Sequence, residues 1–129
     1  MGKIEFNFEN LKVWQAARIL VKEVYLLLEQ FPAYERFALA DQIRRSVISV
    51  ASNIAEGKGR ETEKETIHFL SISYGSLMEC YCQLTLAMDL NYLSASDLEN
   101  IKPRFEEIAK MLSGYKAYLR RGFQPTTSS

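Results

Sequence analysis

Ile67-His68-Phe69-Leu70-Ser71-Ile72-Ser73-Tyr74-Gly75-Ser76-Leu77-Met78-Glu79-Cys80-Tyr81-Cys82-Gln83-Leu84-Thr85-Leu86-Ala87-Met88 is the stretch that decides the fold. Within it Ile67, Leu70, Tyr74, Leu77, Tyr81, Leu84 and Met88 recur at alternating steps of three and four. Such steps return side chains to one face of an α-helix, and a sustained run of them is the seam along which helices of a bundle pack. Thr62-Glu63-Lys64-Glu65 stands just before it and has the Thr-x-x-Glu pattern of a capping box. A helix is therefore predicted from Thr62 to near Asn91.

Working outward, three further segments carry the same period. Downstream of Ser94-Ala95-Ser96-Asp97, the residues Leu98, Ile101, Phe105, Ile108, Leu112, Tyr115 and Leu119 form a second seam of this kind. Pro103 interrupts it, because a proline inside a helix removes one backbone hydrogen bond and crowds the preceding turn. Either a kink or a separate short first piece is expected there. Upstream, Ile43, Val47, Val50 and Ile54 mark a helix from about Glu35 to Glu56, with Gly57 read as a left-handed C-cap. The first segment, from about Asn10 to Gln30, carries Val13, Ala17, Leu20, Val24, Leu27 and Phe31 on one face, and Leu11, Trp14, Val21 and Leu28 beside it. Phe31-Pro32 ends it, since a residue before proline avoids helical dihedrals.

Four amphipathic helices joined by short breaks predict an all-α fold, an antiparallel up-down-up-down four-helix bundle. The alternative is an open array of helical hairpins completed by partners. The bundle is assigned to residues 10–121, with an N-terminal arm at 1–9 and a polar, disordered tail at 122–129. The turn at Gly57-Lys58-Gly59-Arg60-Glu61 brings the third helix back along the second. In that register Ile54 meets Ile67, Val50 meets Leu70, Val47 meets Tyr74 and Ile43 meets Leu77. Glu79 then lies about one turn from Arg44 and Arg45, and an interhelical Arg–Glu bridge is expected.

Composition bounds the function. A chain of 129 residues fits one domain. Lys plus Arg and Asp plus Glu number 16 each, a balance that argues against general polyanion binding, which needs surplus basic charge. No apolar run is long enough to span a membrane, and Met1-Gly2-Lys3-Ile4-Glu5-Phe6-Asn7 lacks a signal-peptide core, so a cytoplasmic protein without membrane attachment is expected. Cys80 and Cys82 stand two apart, which on a helix points them to nearly opposite sides, so no disulfide is expected between them.

Catalytic signals are sparse. His68 is the single histidine, and no second ligand stands at helical spacing from it; neither a metal nor a cofactor is expected. No Gly-x-Ser-x-Gly elbow occurs, and Gly57-Lys58-Gly59 follows a helix and lacks the spacing of a phosphate-binding loop. Lys58 and Arg60 near a helix start are nonetheless candidates for an anion or nucleic-acid contact. Arg44, Arg45, Asn53, Glu56 and Glu79 are candidates for a structural polar network. Gly75 and Ser76 interrupt the third helix and imply close approach of another backbone, within the bundle or from another subunit, since a helical glycine costs about 1 kcal/mol relative to alanine. Phe69 and Ile72 lie off the seam and are candidates for an oligomer interface, because a bundle helix needs only one buried stripe.

Several of these motifs resemble one family. Gln42-Ile43-Arg44-Arg45-Ser46, Ser52-Asn53-Ile54-Ala55-Glu56-Gly57-Lys58-Gly59-Arg60, Tyr74-Gly75-Ser76-Leu77-Met78-Glu79 and the opening Phe8-Glu9-Asn10-Leu11-Lys12-Val13-Trp14 are similar to the four-helix-bundle proteins encoded in intervening sequences of 23S ribosomal RNA genes. The resemblance runs over roughly residues 8–119. It implies a small helical bundle assembled as a ring-like homopentamer, and kinship to the accessory subunits of diversity-generating retroelements, which bind a reverse transcriptase and nucleic acid. Those subunits are basic, whereas this chain is neutral. The expected function is that of a non-catalytic oligomeric scaffold; the alternative is an accessory subunit partnering a reverse transcriptase or structured RNA.

Overall fold

The structure is a computed structural model that describes residues 6–123. Four helices follow one another: α1 (Lys12–Leu28), α2 (Leu39–Lys58), α3 (Glu63–Asp89) and α4 (Ala95–Phe123). Short 3-10 turns at Asn7–Asn10 and Ala33–Glu35 lead into α1 and α2. No strand occurs among the described residues. No helix is long and apolar enough to cross a membrane.

Cross-helix contacts set the directions. Val13 and Tyr115 line one groove, and Arg104 reaches Glu23, so α4 runs antiparallel to α1. Gly57 touches Thr66, which makes α2 and α3 an antiparallel hairpin. Tyr81 meets Phe105 edge-on at 5.2 Å, and Gly122 lies against Glu63, so α3 and α4 are antiparallel as well. This is the expected bundle. Leu20, Ile43, Ile54, Leu70, Leu77, Leu84, Ile108 and Leu112 fill its centre, and each is almost wholly removed from water.

The helix ends follow from local chemistry. Thr62 caps α3 by accepting the Glu65 N–H at 3.1 Å. Ser94 and Asp97 form a reciprocal box on α4: the Asp97 N–H donates to Ser94 Oγ and the Ser94 N–H to the Asp97 carboxylate. Asn91 is the described non-glycine residue with positive φ (64°), and the Tyr92 N–H bonds back to the Ala87 carbonyl. That is a left-handed C-cap, for which asparagine is the common substitute for glycine.

Four boundary expectations change. Gly57 is not a left-handed cap: no glycine described has positive φ, and Gly57 is a buried residue inside α2, which ends at Lys58 with Gly59 as its cap. α2 starts at Leu39 and not at Glu35, because the Glu35 carboxylate turns back to accept the Leu39 N–H at 3.0 Å. Of the two outcomes expected at Pro103, the separate short first piece does not form, since α4 is one helix from Ala95 to Phe123. Pro103 sits on the exposed face, where the carbonyl it leaves free has access to water. Gly122 and Phe123, assigned to the tail, are helical; residues 124–129 and, in the N-terminal arm, 1–5 lie outside the described residues.

Candidate functional site

The interface between α2 and α3 is built from small polar residues. Thr66 Oγ1 donates to the Gly57 carbonyl at 2.8 Å, and Ser73 Oγ donates to the Val50 carbonyl at 2.7 Å. Ser49 and Ser76 join hydroxyl to hydroxyl at 2.7 Å, and Ser46 donates to Gln83 Oε1 at 2.8 Å. Side chains this short let two helices approach closely, and each hydroxyl returns a hydrogen bond that burial would otherwise cost it. The glycine of closest approach is Gly57: a Cβ there would stand 3.0 Å from Phe69 Cβ and 3.3 Å from the Thr66 carbonyl oxygen.

This contact corrects the expected register. The Val50 carbonyl accepts from Ser73, whereas the expected register sets Val50 level with Leu70, so α3 is displaced there by about one turn. The seam of α3 turns toward α4, where Tyr81 meets Phe105 and Lys116 covers the Tyr74 ring. The neighbouring stripe of Thr66, Ser73, Ser76 and Gln83 faces α2. Two stripes of α3 are therefore buried, and the polar one carried no hydrophobic signal in the sequence.

The expected polar network is four separate contacts. Arg45 Nε pairs with Asp41 Oδ2 at 3.0 Å; Arg44 donates to the Arg36 carbonyl at 2.6 Å and stands 3.7 Å from Asp41 Oδ1. Neither arginine bridges to Glu79, whose carboxylate accepts instead from Gln83 Nε2 at 3.5 Å. The shifted register leaves the intrahelical Asp41 the nearer partner. Asn53 donates to the Ser49 carbonyl and hydroxyl, both at 2.9 Å, and orients the Ser49–Ser76 pair. Glu56 pairs with Arg60 at 2.8 Å.

Gly75 has no intramolecular packing role, since a Cβ there would meet nothing within 4 Å; Ser76 alone of that pair faces α2. Arg60 is held by Glu56 and lies over the Phe69 ring at 5.3 Å. Phe69 is thus half-buried in the α2–α3 turn, between Gly57 and Arg60, whereas Ile72 stays open to solvent. Lys58 stands at the C-terminal end of α2, the end of the helix dipole that favours cations. The basic residues do not form one stripe: Arg44 and Arg45 start α2, while Lys58, Arg60, Lys64, Arg120 and Arg121 gather at the opposite end of the bundle.

His68 is exposed and its ring stands edge-on to Phe69 at 5.6 Å. No group of three His, Cys, Asp or Glu side chains able to hold a metal occurs among the described residues. Cys80 is buried and Cys82 exposed, both as free thiols. Burial, the largest cause, pushes the Cys80 thiol up to about 12.

Two surface features had no sequence signal. One is a groove of about 450 Å³ between the start of α1 and the end of α4, lined by Leu11, Val13, Met111, Tyr115, Tyr118 and Leu119 and flanked by Lys12 and Lys58. Its edge includes Gly114, where a Cβ would meet nothing within 4 Å. The other is a groove of about 400 Å³ at the opposite end, lined among others by Tyr25, Phe31, Arg36 and Arg44.

Comparison with known proteins bears on most of the chain. No curated protein sequence matches it. A crystal structure of a protein of unknown function from the S23 ribosomal protein family of Bacteroides thetaiotaomicron superposes with a TM-score of 0.74 at 23% sequence identity, covering 81% of this chain and 97% of that one. That likeness is one of fold. The sequence profile described as 23S rRNA-intervening sequence protein matches residues 9–114, which takes in α1 to α3, most of α4 and the whole polar α2–α3 interface. The chain therefore belongs to the 23S rRNA-intervening sequence protein family.

Proposed function

We propose that the protein is a non-catalytic, self-assembling helical scaffold that works in the cytoplasm, as a ring of five copies by the number its family resemblance implies. The observation that carries this reading is the outer face of the α2–α3 hairpin. On α3, Ile72 is 39% exposed, Met78 41% and Leu86 49%, and Gly75 lies among them, where a Cβ would meet nothing within 4 Å in its own chain. Apolar residues grouped on a surface mark contact with another macromolecule more often than isolated ones do. A mid-helix glycine without an internal reason fits a backbone approached from outside. Separate, locally satisfied ion pairs suit a structural part.

Light scattering on a size-exclusion eluate tests the reading. The chain mass is 14.8 kDa, and a mass several times larger is expected at micromolar concentration. Ile72→Glu lowers that mass, and Lys110→Glu on the exposed face of α4 leaves it unchanged. A single species at the mass of one chain over the micromolar range overturns the proposal. Titration with structured RNA at two salt concentrations separates the scaffold from the accessory-subunit alternative, for which tight binding that weakens steeply with salt is the signature.

A further inference from the structure

The groove beside Gly114 has apolar walls: Leu11 and Val13 at the start of α1, and Met111, Tyr115, Tyr118 and Leu119 near the end of α4. Lys12 and Lys58 also line it, and no acidic residue does. Lys58 is half-buried, yet neither lysine pairs with a carboxylate among the described residues. A partly desolvated ammonium without a counter-charge favours an incoming anion. The groove also has direction. Gly57 meets Thr66 and Gly122 meets Glu63, so α2 and α4 both end beside the start of α3. Lys58 and Leu119 therefore stand at the open end of the bundle, and Met111 lies about 12 Å from Leu119 along α4, at 1.5 Å per residue.

We propose that this groove binds the anion of a free medium-chain fatty acid. The carboxylate is held by Lys12 and Lys58, and the acyl chain lies along α4 toward Met111. The inference goes beyond the assembly reading and stands without it. Three observations select this chemistry. The volume, about 450 Å³, falls within the roughly 300–1,000 Å³ usual for small-molecule sites, and a mostly apolar lining with a few polar groups between helices of a bundle is a common form of such sites. The charge in the lining is of one sign and sits with the apolar wall, which matches an amphiphile with an anionic head. Two ammonium groups act as point charges, enough for a monoanion, without the planar fork that arginine offers a phosphate. A flexible acyl chain also brings no backbone groups that need hydrogen bonds, and it follows a groove by bending rather than by a preset fit.

Calorimetric titration of the full-length protein with laurate, and with dodecyltrimethylammonium as a cation bearing a tail of the same length, tests it below the micellar range. The parent is expected to bind one laurate per chain saturably and to bind the cation at least tenfold more weakly. Lys12→Gln with Lys58→Gln is expected to weaken laurate roughly tenfold and to leave the cation no weaker. Gly114→Leu, where a Cβ meets nothing within 4 Å, and Tyr118→Asp, at a side chain 65% exposed, are expected to keep the helical circular dichroism of the parent. Both are expected to weaken laurate at least tenfold, by narrowing the groove or placing a negative charge in it. Absence of saturable laurate binding by the parent overturns the proposal. So does laurate binding that both groove variants leave unchanged, or a lysine double variant that weakens neither ligand or both alike. None of these outcomes alters the oligomer mass that tests the scaffold.

Discussion

Gly57 on α2 and Phe69 on α3 lie so close that a methyl group on the glycine would stand 3.0 Å from Phe69 Cβ. The backbone of Gly57 is helical, so this glycine is present for space and not for a left-handed turn.

Gly57→Leu is accordingly expected to destabilise the fold by about 1–3 kcal/mol, the usual cost of overfilling a packed contact. Gly75→Ala is expected to be neutral or to stabilise the single chain by up to about 1 kcal/mol, because an exposed helical glycine has only backbone freedom to lose. Urea melts of both variants at low protein concentration measure this. Equal losses at both sites would show that the Gly57–Phe69 approach does not limit packing.

The buried Ser46–Gln83 hydrogen bond makes a different demand. Ser46→Ala leaves the Gln83 carbonyl oxygen without its donor in a site 8% exposed, and a loss of about 1–3 kcal/mol is expected. Adding Gln83→Leu removes the stranded group and is expected to recover part of that loss. A double variant less stable than Ser46→Ala would mean that the amide does more than answer Ser46.

Thiol chemistry reports the burial of α3. Cys82 is expected to react with a maleimide in the native protein and Cys80 only after unfolding, giving one label and then two. The Cys80 thiol is raised from its ordinary value of 9.0 to about 12 by burial. The folded state therefore holds the proton more tightly than the unfolded one. Its contribution to stability is whole below about pH 9 and is lost as pH rises toward 12. Cys80→Ala is expected to flatten stability against pH across that window, and an unchanged slope would assign the alkaline loss to other groups.

Arg104 ties α4 to α1 through Glu23 at 3.0 Å and also pairs with Glu107 at 3.2 Å. The groups are partly solvated, so a double-mutant cycle of Arg104→Ala with Glu23→Ala is expected to yield a coupling of only about 0.2–1 kcal/mol, diminished by salt. A coupling above about 2 kcal/mol would mean that the pair is better desolvated than its exposure indicates.

Periodicity of apolar residues was enough to determine four helices, their order and their antiparallel course, because burying one stripe per helix behind short turns admits few arrangements. Leu20, Ile43, Ile54, Leu77, Ile108 and Leu112 were all legible as core for that reason. Which of two adjacent stripes on α3 meets α2 was not legible. Thr66, Ser73 and Ser76 look like surface residues until their hydroxyls find carbonyls and hydroxyls on the opposite helix, and those partners are 9, 23 and 27 residues away. The same one-turn displacement left Glu79 to Gln83 and gave Arg44 and Arg45 to Asp41. It also made Gly57 the close-contact glycine, leaving Gly75 open. The groove beside Gly114 was invisible for a related reason: exposure, unlike periodicity, is a property of what the rest of the chain fails to cover.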